Sequence, residues 1–350
     1  MTALPIDADR LQSFLVGLLN TPSPTGHTDA ALAYVERALA DLPVTVRRTR
    51  KGALVAEWPG RAATAPRALT AHVDTLGALV KEIKANGRLR LTKLGGYAWN
   101  TVEGEGCTVF TAAGRAVRGA LLINKTSSHV HGPETADAKR SDENMEVRLD
   151  ERASNRAATQ ALGIQVGDHV AFDPRVETGP AGFIRSRHLD DKAGVAAVFG
   201  AAWALLATGQ LPAQRTTLHF SHYEEVGHGA AAGFPPDLAE LVAVDMAAIG
   251  AGQESDEFNT TICVKDSGGP YDLALRRRLV ALAEAAGIPY KLDIYPYYGS
   301  DGEAYWRAGG DVRVALVGPG VEASHNYERT HREALVHTAE LLAEYLRQDA

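Results

Sequence analysis

Cysteine is nearly absent: the chain of 350 residues has two, Cys107 and Cys263, with no CxxC spacing. That excludes a disulfide framework and a thiolate zinc site, and it fits a reducing cytoplasm. Long apolar runs are scarce as well. Residues 193–209, AGVAAVFGAAWALLATG, follow HLDDK directly and are rich in small side chains, so they read as a buried core helix rather than a membrane span. The opening residues MTALPIDADRLQSFL have neither a basic leader nor a continuous apolar stretch, and no secretion signal is expected from them. Positive charge is not in excess either. A formal charge of −7 argues against a nucleic-acid or anionic-membrane partner, and the runs RRTRK and LRRRL are too short to track a phosphate backbone.

Several catalytic signatures are also missing. There is no G-x-S-x-G nucleophile elbow and no HExxH helix, and neither cysteine stands at a helix start that would lower its pKa. What remains is an ordinary globular composition, 45% apolar and 23% charged, without repeats or low-complexity tracts.

Periodicity supplies the architecture. DADRLQSFLVGLLN reads as a helix capped by Asp7, with Leu11, Phe14, Leu15 and Leu18 on one stripe, and TDAALAYVERALADL as a second helix. Strand-like runs VTVRRTR, GALVAEW and RALTAHVD follow. From about Leu79 to Arg187 the texture changes to short alternating runs (LVKEIK, RLRLTKL, CTVFTA, AVRGALLI, DHVAFDP) separated by glycines, the look of a small β-rich barrel or sandwich. The α/β rhythm then returns to the end of the chain. The expected fold is α/β, a mixed sheet flanked by helices with an inserted small β-barrel domain: residues 1–78 and 187–350 form the catalytic domain, and 79–186 the insert. The charged run after His129 and His131 reads as a mobile loop, and that H-x-H pair as a rival metal site on a strand.

Acidic and histidine residues recur at strand ends, where open α/β sheets place their ligand crevice. They are His72 and Asp74 after RALTA, the pair in HLDDK, the pair in EEVG, Asp245 after LVAV, and His325 in GPGVEASHNYER. Imidazoles and carboxylates without thiolates suit zinc, cobalt or manganese, and they outnumber the needs of one tetrahedral zinc. Two ions sharing a carboxylate, roughly 3.5–4 Å apart, would absorb them. Glu224 and Glu225 are adjacent, and on a strand they would face opposite sides. Two jobs follow: one glutamate binds metal, while the other takes a proton from the attacking water. His188, His222 and His228 also lie near this region in the sequence.

AHVDTLG, HLDDKAG, EEVG, VAVD and ASHNYER resemble, in order and spacing, the motifs of metallopeptidase family 42, the tetrahedral aminopeptidases of clan MH. The resemblance implies a zinc-exopeptidase-like fold and two divalent ions per subunit. His72 and Asp245 would be terminal ligands of one ion, Glu225 and His325 of the other, and Asp190 the bridge. Glu224 would be the general base, Asp74 would orient His72, and the Asp190–Asp191 peptide would be cis. It further implies short peptide substrates, and dimers assembling through the insert into a dodecamer, with the dimer alone as the alternative. Thr75 departs from the family's frequent HxDEIG, and the insert looks closest to a subgroup linked with osmoprotectant dipeptide metabolism. Alternatives on the same residues are a deacylase or dipeptide-amide hydrolase and, outside catalysis, a metal-stabilised assembly. A glycosidase would need two carboxylates facing each other across about 5–9 Å, which an opposed pair does not supply.

Overall fold

The computed structural model describes residues 3–349. Its centre is a run of parallel strands. Gln214–Ser221, Ala62–His72, Glu240–Val244 and Arg313–Glu322 lie side by side in a twelve-stranded mixed sheet, with Leu54–Trp58 and Thr45–Arg48 added antiparallel at one side. These inner strands are buried on both faces, which is why they read as continuous β-branched and apolar runs rather than as alternation.

Register, not proximity in sequence, builds the crevice. Ser221 pairs with His72, so the loop after it, carrying Glu224 and Glu225, leaves the sheet beside His72. Ala243 pairs with Thr70, so Asp245 stands level with His72 on the next strand. The carboxyl ends of three parallel strands thus meet at one edge.

Helix Leu189–Ala207 is buried from Leu189 to Leu205 and packs between the sheet and helices Ala8–Leu19 and Arg332–Arg347. A helix that is apolar all round requires such a sandwiched position. Among the described residues, no helix is long and apolar enough to cross a membrane. On the Ala8–Leu19 helix, Asp7 caps the start by accepting from the Arg10 amide at 2.9 Å, and Leu11, Phe14, Leu15 and Leu18 face the core as their spacing predicts.

The insert is a closed six-stranded barrel with its own apolar interior, running from Gly77–Ile83 to His169–Phe172. One of its strands, Met145–Leu149, lies inside the charged run read from sequence as a mobile loop. Met145 and Val147 of this strand face the barrel interior, while Glu146, on the other face, is buried under its ion pairs with Lys84 and Arg88. His129 and His131 sit on a short exposed helical turn, Ser128–His131, and so do not share one face of a strand. Strands Glu177–Thr178 and Phe183–Ser186 then rejoin the large sheet next to Glu328–His331.

One close approach ties packing to the crevice. A Cβ at Gly318 would stand 1.6 Å from the Asp245 carbonyl oxygen, and the Asp245 amide donates to Val317 at 3.0 Å. Gly318→Ala is therefore expected to push the Asp245 main chain out of position. Urea unfolding should read a loss of about 1–3 kcal/mol, accompanied by weaker metal binding. Unchanged stability and binding would mean that the approach carries no constraint.

Candidate metal centre

The structure brings His72, Asp190, Glu224, Glu225, Asp245 and His325 to one crevice. His72, Asp190 and Asp245 each offer a donor atom within 4.8 Å of the others, and so do Asp190, Glu225 and His325. Asp190 belongs to both groups. Its Oδ1 lies 3.0 Å from His72 Nε2, and its Oδ2 lies 3.2 Å from His325 Nε2. Glu224 belongs to neither group: its Oε2 stands 3.7 Å from His72 Nε2.

Each donor is held from behind. His72 Nδ1 donates to the Asp74 main-chain carbonyl at 2.8 Å, while the Asp74 carboxylate lies 3.7 Å away. It is thus the peptide oxygen that orients the ring. The carboxylate serves elsewhere, accepting from Thr25 Oγ1 at 2.7 Å and from the amides of Glu224 and Glu225 at 3.2 and 3.4 Å. His325 Nδ1 donates to the Gly96 carbonyl at 2.6 Å, so a residue of the insert orients this second ring. Thr75 is buried, with its hydroxyl on the Leu76 carbonyl at 3.2 Å, and the Leu76 amide donates to Glu225 Oε1 at 3.1 Å.

The glutamate pair is not on a strand. Gln214–Ser221 ends before it, and Glu224–Val226 form a single 3-10 turn between left-handed Tyr223 and Gly227. The two side chains still diverge, Glu224 towards His72 and Glu225 towards His325, because the turn rather than the pleat separates them.

Three supporting acids carry weak sequence signals. Asp191, next to Asp190 across a cis peptide, accepts from the His72 amide at 3.2 Å and the Gly194 amide at 3.1 Å, so it is both a helix cap and a brace. Glu328 is buried and accepts from the amides of His325 at 2.9 Å and Asp190 at 3.2 Å. Asp301 takes Ser221 Oγ and, at 2.7 Å, the Ala230 amide, clamping both ends of the loop that carries Glu224 and Glu225. Glu328 is the acid of the quoted ASHNYER, whereas Asp301 lies at the start of helix Asp301–Arg307, outside the motifs quoted from the sequence. His188, His222 and His228 do not line the cavity beside the acids. His222 is occupied by the Gly26 amide and Thr28.

The donors suit divalent cations. Both cysteines are buried elsewhere, leaving imidazole and carboxylate only. Burial drives Glu225 up to about 8 and Asp245 up to about 7, with neighbouring Asp190 adding to both, and burial likewise raises Glu224. Burial alone would lower His325, but Asp190 and Glu225 outweigh it and push the ring up to about 11. So many buried acids around two imidazoles call for added positive charge.

Comparison with known proteins agrees. Residues 52–341 match the sequence model of the M42 glutamyl aminopeptidases. The chain is 50% identical over 332 residues to the "Putative aminopeptidase YhfE" of Bacillus subtilis, covering 94% of this chain and 95% of that one. Two solved structures share the fold. A TET aminopeptidase from a marine sediment archaeon of the Thaumarchaeota has a TM-score of 0.87 at 16% identity, covering 98% of this chain and 97% of that one. The Pyrococcus horikoshii TET1 peptidase, described as assembling into a tetrahedron or a large octahedral shell, has a TM-score of 0.85 at 21% identity, covering 97% and 99%. The chain belongs to the M42 aminopeptidase family, hydrolases of peptide bonds, and membership implies divalent metal ions.

The raised pKa values set a sign for metal uptake. The raised pKa values of both imidazoles, Glu225 and Asp245 favour their protonated forms in the metal-free site, and a cation must displace those protons. Metal affinity is therefore expected to rise between pH 6 and 8, by up to about tenfold per pH unit for each proton released. Calorimetry in buffers of different ionisation enthalpy counts those protons. Affinity independent of pH, with no proton release, would contradict this charge state.

Proposed function

We propose that this chain is a dinuclear metal-dependent aminopeptidase that removes N-terminal residues from short peptides. The observation that carries the reading is the shared carboxylate: Asp190 turns one oxygen to each imidazole, between two three-residue donor groups, while Glu224 stays outside both. His72 and Asp245 would hold one ion and Glu225 and His325 the other, with Asp190 common to both. Zinc suits the donors best, and cobalt or manganese are also compatible. When bound, such ions polarise a scissile carbonyl and acidify water.

The chain's own residues do the rest. Glu224 accepts a proton from the attacking water and returns it to the leaving amine. A carboxyl whose pKa is raised by burial is suited to hold that proton between the two transfers. Asp74 acts as a positioning residue, fixing the turn through the Glu224 and Glu225 amides. Main-chain oxygens of Asp74 and Gly96 hold the two rings in the tautomer that presents Nε2 to the crevice.

Residues 79–186 act in this reading as a lid and docking domain beside the crevice, an assignment supported by the Gly96 contact to His325. The dodecamer and the tetrahedral or octahedral shells named for structural relatives support a homo-oligomer here too, which we read as dimers building a dodecamer. Light scattering on the intact chain reads its mass directly.

Glu224→Gln is expected to keep its metal and lose about 10²–10⁴-fold in turnover, whereas Glu225→Gln should lose metal as well. Metal content and rate are measured on the same samples. Near-normal turnover of metal-replete Glu224→Gln would remove the assigned role.

A further inference from the structure

A cavity of about 520 Å³ opens from the crevice. Asp190, Glu224, Glu225, Asp245 and His325 form one end, and the remaining wall includes Met246, Ala248, Gln253, Tyr295 and Tyr298. A substrate whose scissile bond lies at the acids has this wall as the surface for its first side chain.

Several polar atoms of the wall are already engaged. Tyr298 Oη donates to the Met246 carbonyl at 2.7 Å, and Tyr295 Oη pairs with Ser255 Oγ at 3.0 Å. Gln253 Nε2 donates both to Asp293 Oδ1 at 3.0 Å and to the Ile294 carbonyl at 2.7 Å, which fixes the orientation of the amide. Asp293 is consumed in turn, because its other oxygen accepts from the Ser255 amide and hydroxyl at 2.9 and 2.7 Å. No lysine or arginine is among the lining residues.

Resting on the aminopeptidase reading, we propose that this wall is a specificity pocket for an uncharged, apolar N-terminal side chain of the leucine, methionine or phenylalanine kind, and that the chain discriminates against N-terminal glutamate. A side-chain carboxylate seated on this wall meets no lysine or arginine, and the hydroxyls of Tyr295 and Tyr298 and the amide N–H groups of Gln253 are spent on other partners, so it loses much of its hydration without replacement. It also approaches the acids at the cavity's other end. A lysine side chain fares little better, since the acid behind the wall already carries its hydrogen bonds. The apolar and aromatic surfaces of Met246, Ala248, Tyr295 and Tyr298 favour hydrocarbon instead.

The test is kcat/KM of the metal-loaded full chain on the p-nitroanilides of Leu, Met, Phe, Glu and Lys. The best apolar substrate is expected to exceed both Glu and Lys by on the order of 10²-fold. Ala248→Lys places an ammonium on the wall and should move the Glu-to-Leu ratio towards Glu by at least about tenfold. Gln253→Lys is the second variant should the first not fold. Equal or better wild-type cleavage of Glu or Lys overturns the proposal, as does an unchanged ratio in the folded variants. If no anilide is cleaved, it is the aminopeptidase reading that fails. The pocket is then judged by calorimetry with free L-leucine, L-phenylalanine and L-glutamate, where tighter binding of an apolar amino acid supports it and equal or tighter binding of glutamate overturns it.

Discussion

The structure turns on the burial of acids. Asp190, Glu224, Glu225, Asp245 and Glu328 are gathered around the imidazoles of His72 and His325, in surroundings that raise the pKa of every one of these carboxyls except Asp190. Asp190 is the exception because hydrogen bonds from both rings hold it well below the usual carboxylate range against the effect of burial. A fold can keep so much latent negative charge in one place only if it is matched by cations and if each carboxylate is fixed. Much of the surrounding chain serves the second condition: Asp74, Asp191, Asp301 and Glu328 all accept from main-chain amides of the loops that bear the donors.

The parallel sheet supplies the remaining precision. Its register sets His72, Asp245 and the start of the glutamate loop at one edge, and the buried helix Leu189–Ala207 delivers Asp190 from its first turn. The barrel is not merely appended. Gly96 orients His325, while Arg187, buried at the junction, donates to the carbonyls of Thr101 in the insert and Asn326 beside His325. Movement of the insert would therefore be felt first on the His325 side of the centre.

Much of this was legible in the sequence, for a physical reason. Parallel strands must be long apolar runs, and their carboxyl ends share one edge, so acids and histidines placed just after such runs betray a crevice. Other features left little trace. The 3-10 turn of Glu224–Val226 depends on a left-handed Tyr223, which has no turn signature of its own. The barrel strand Met145–Leu149 was masked because its short alternation of Met145, Val147 and Leu149 is embedded in a run of charged residues, and Glu146 is neutralised by Lys84 and Arg88 from elsewhere in the chain. The orientation of His72 by the Asp74 peptide oxygen, rather than by its carboxylate, rests on backbone direction that residue identity does not encode.

The central claim is that Asp190 lies between two ions. Diffraction at the zinc absorption edge from the zinc-loaded full chain tests it most directly. The account predicts two anomalous peaks per chain, roughly 3.5–4 Å apart, one beside His72 and Asp245 and the other beside Glu225 and His325. A single peak at full loading, or peaks away from Asp190, would contradict it.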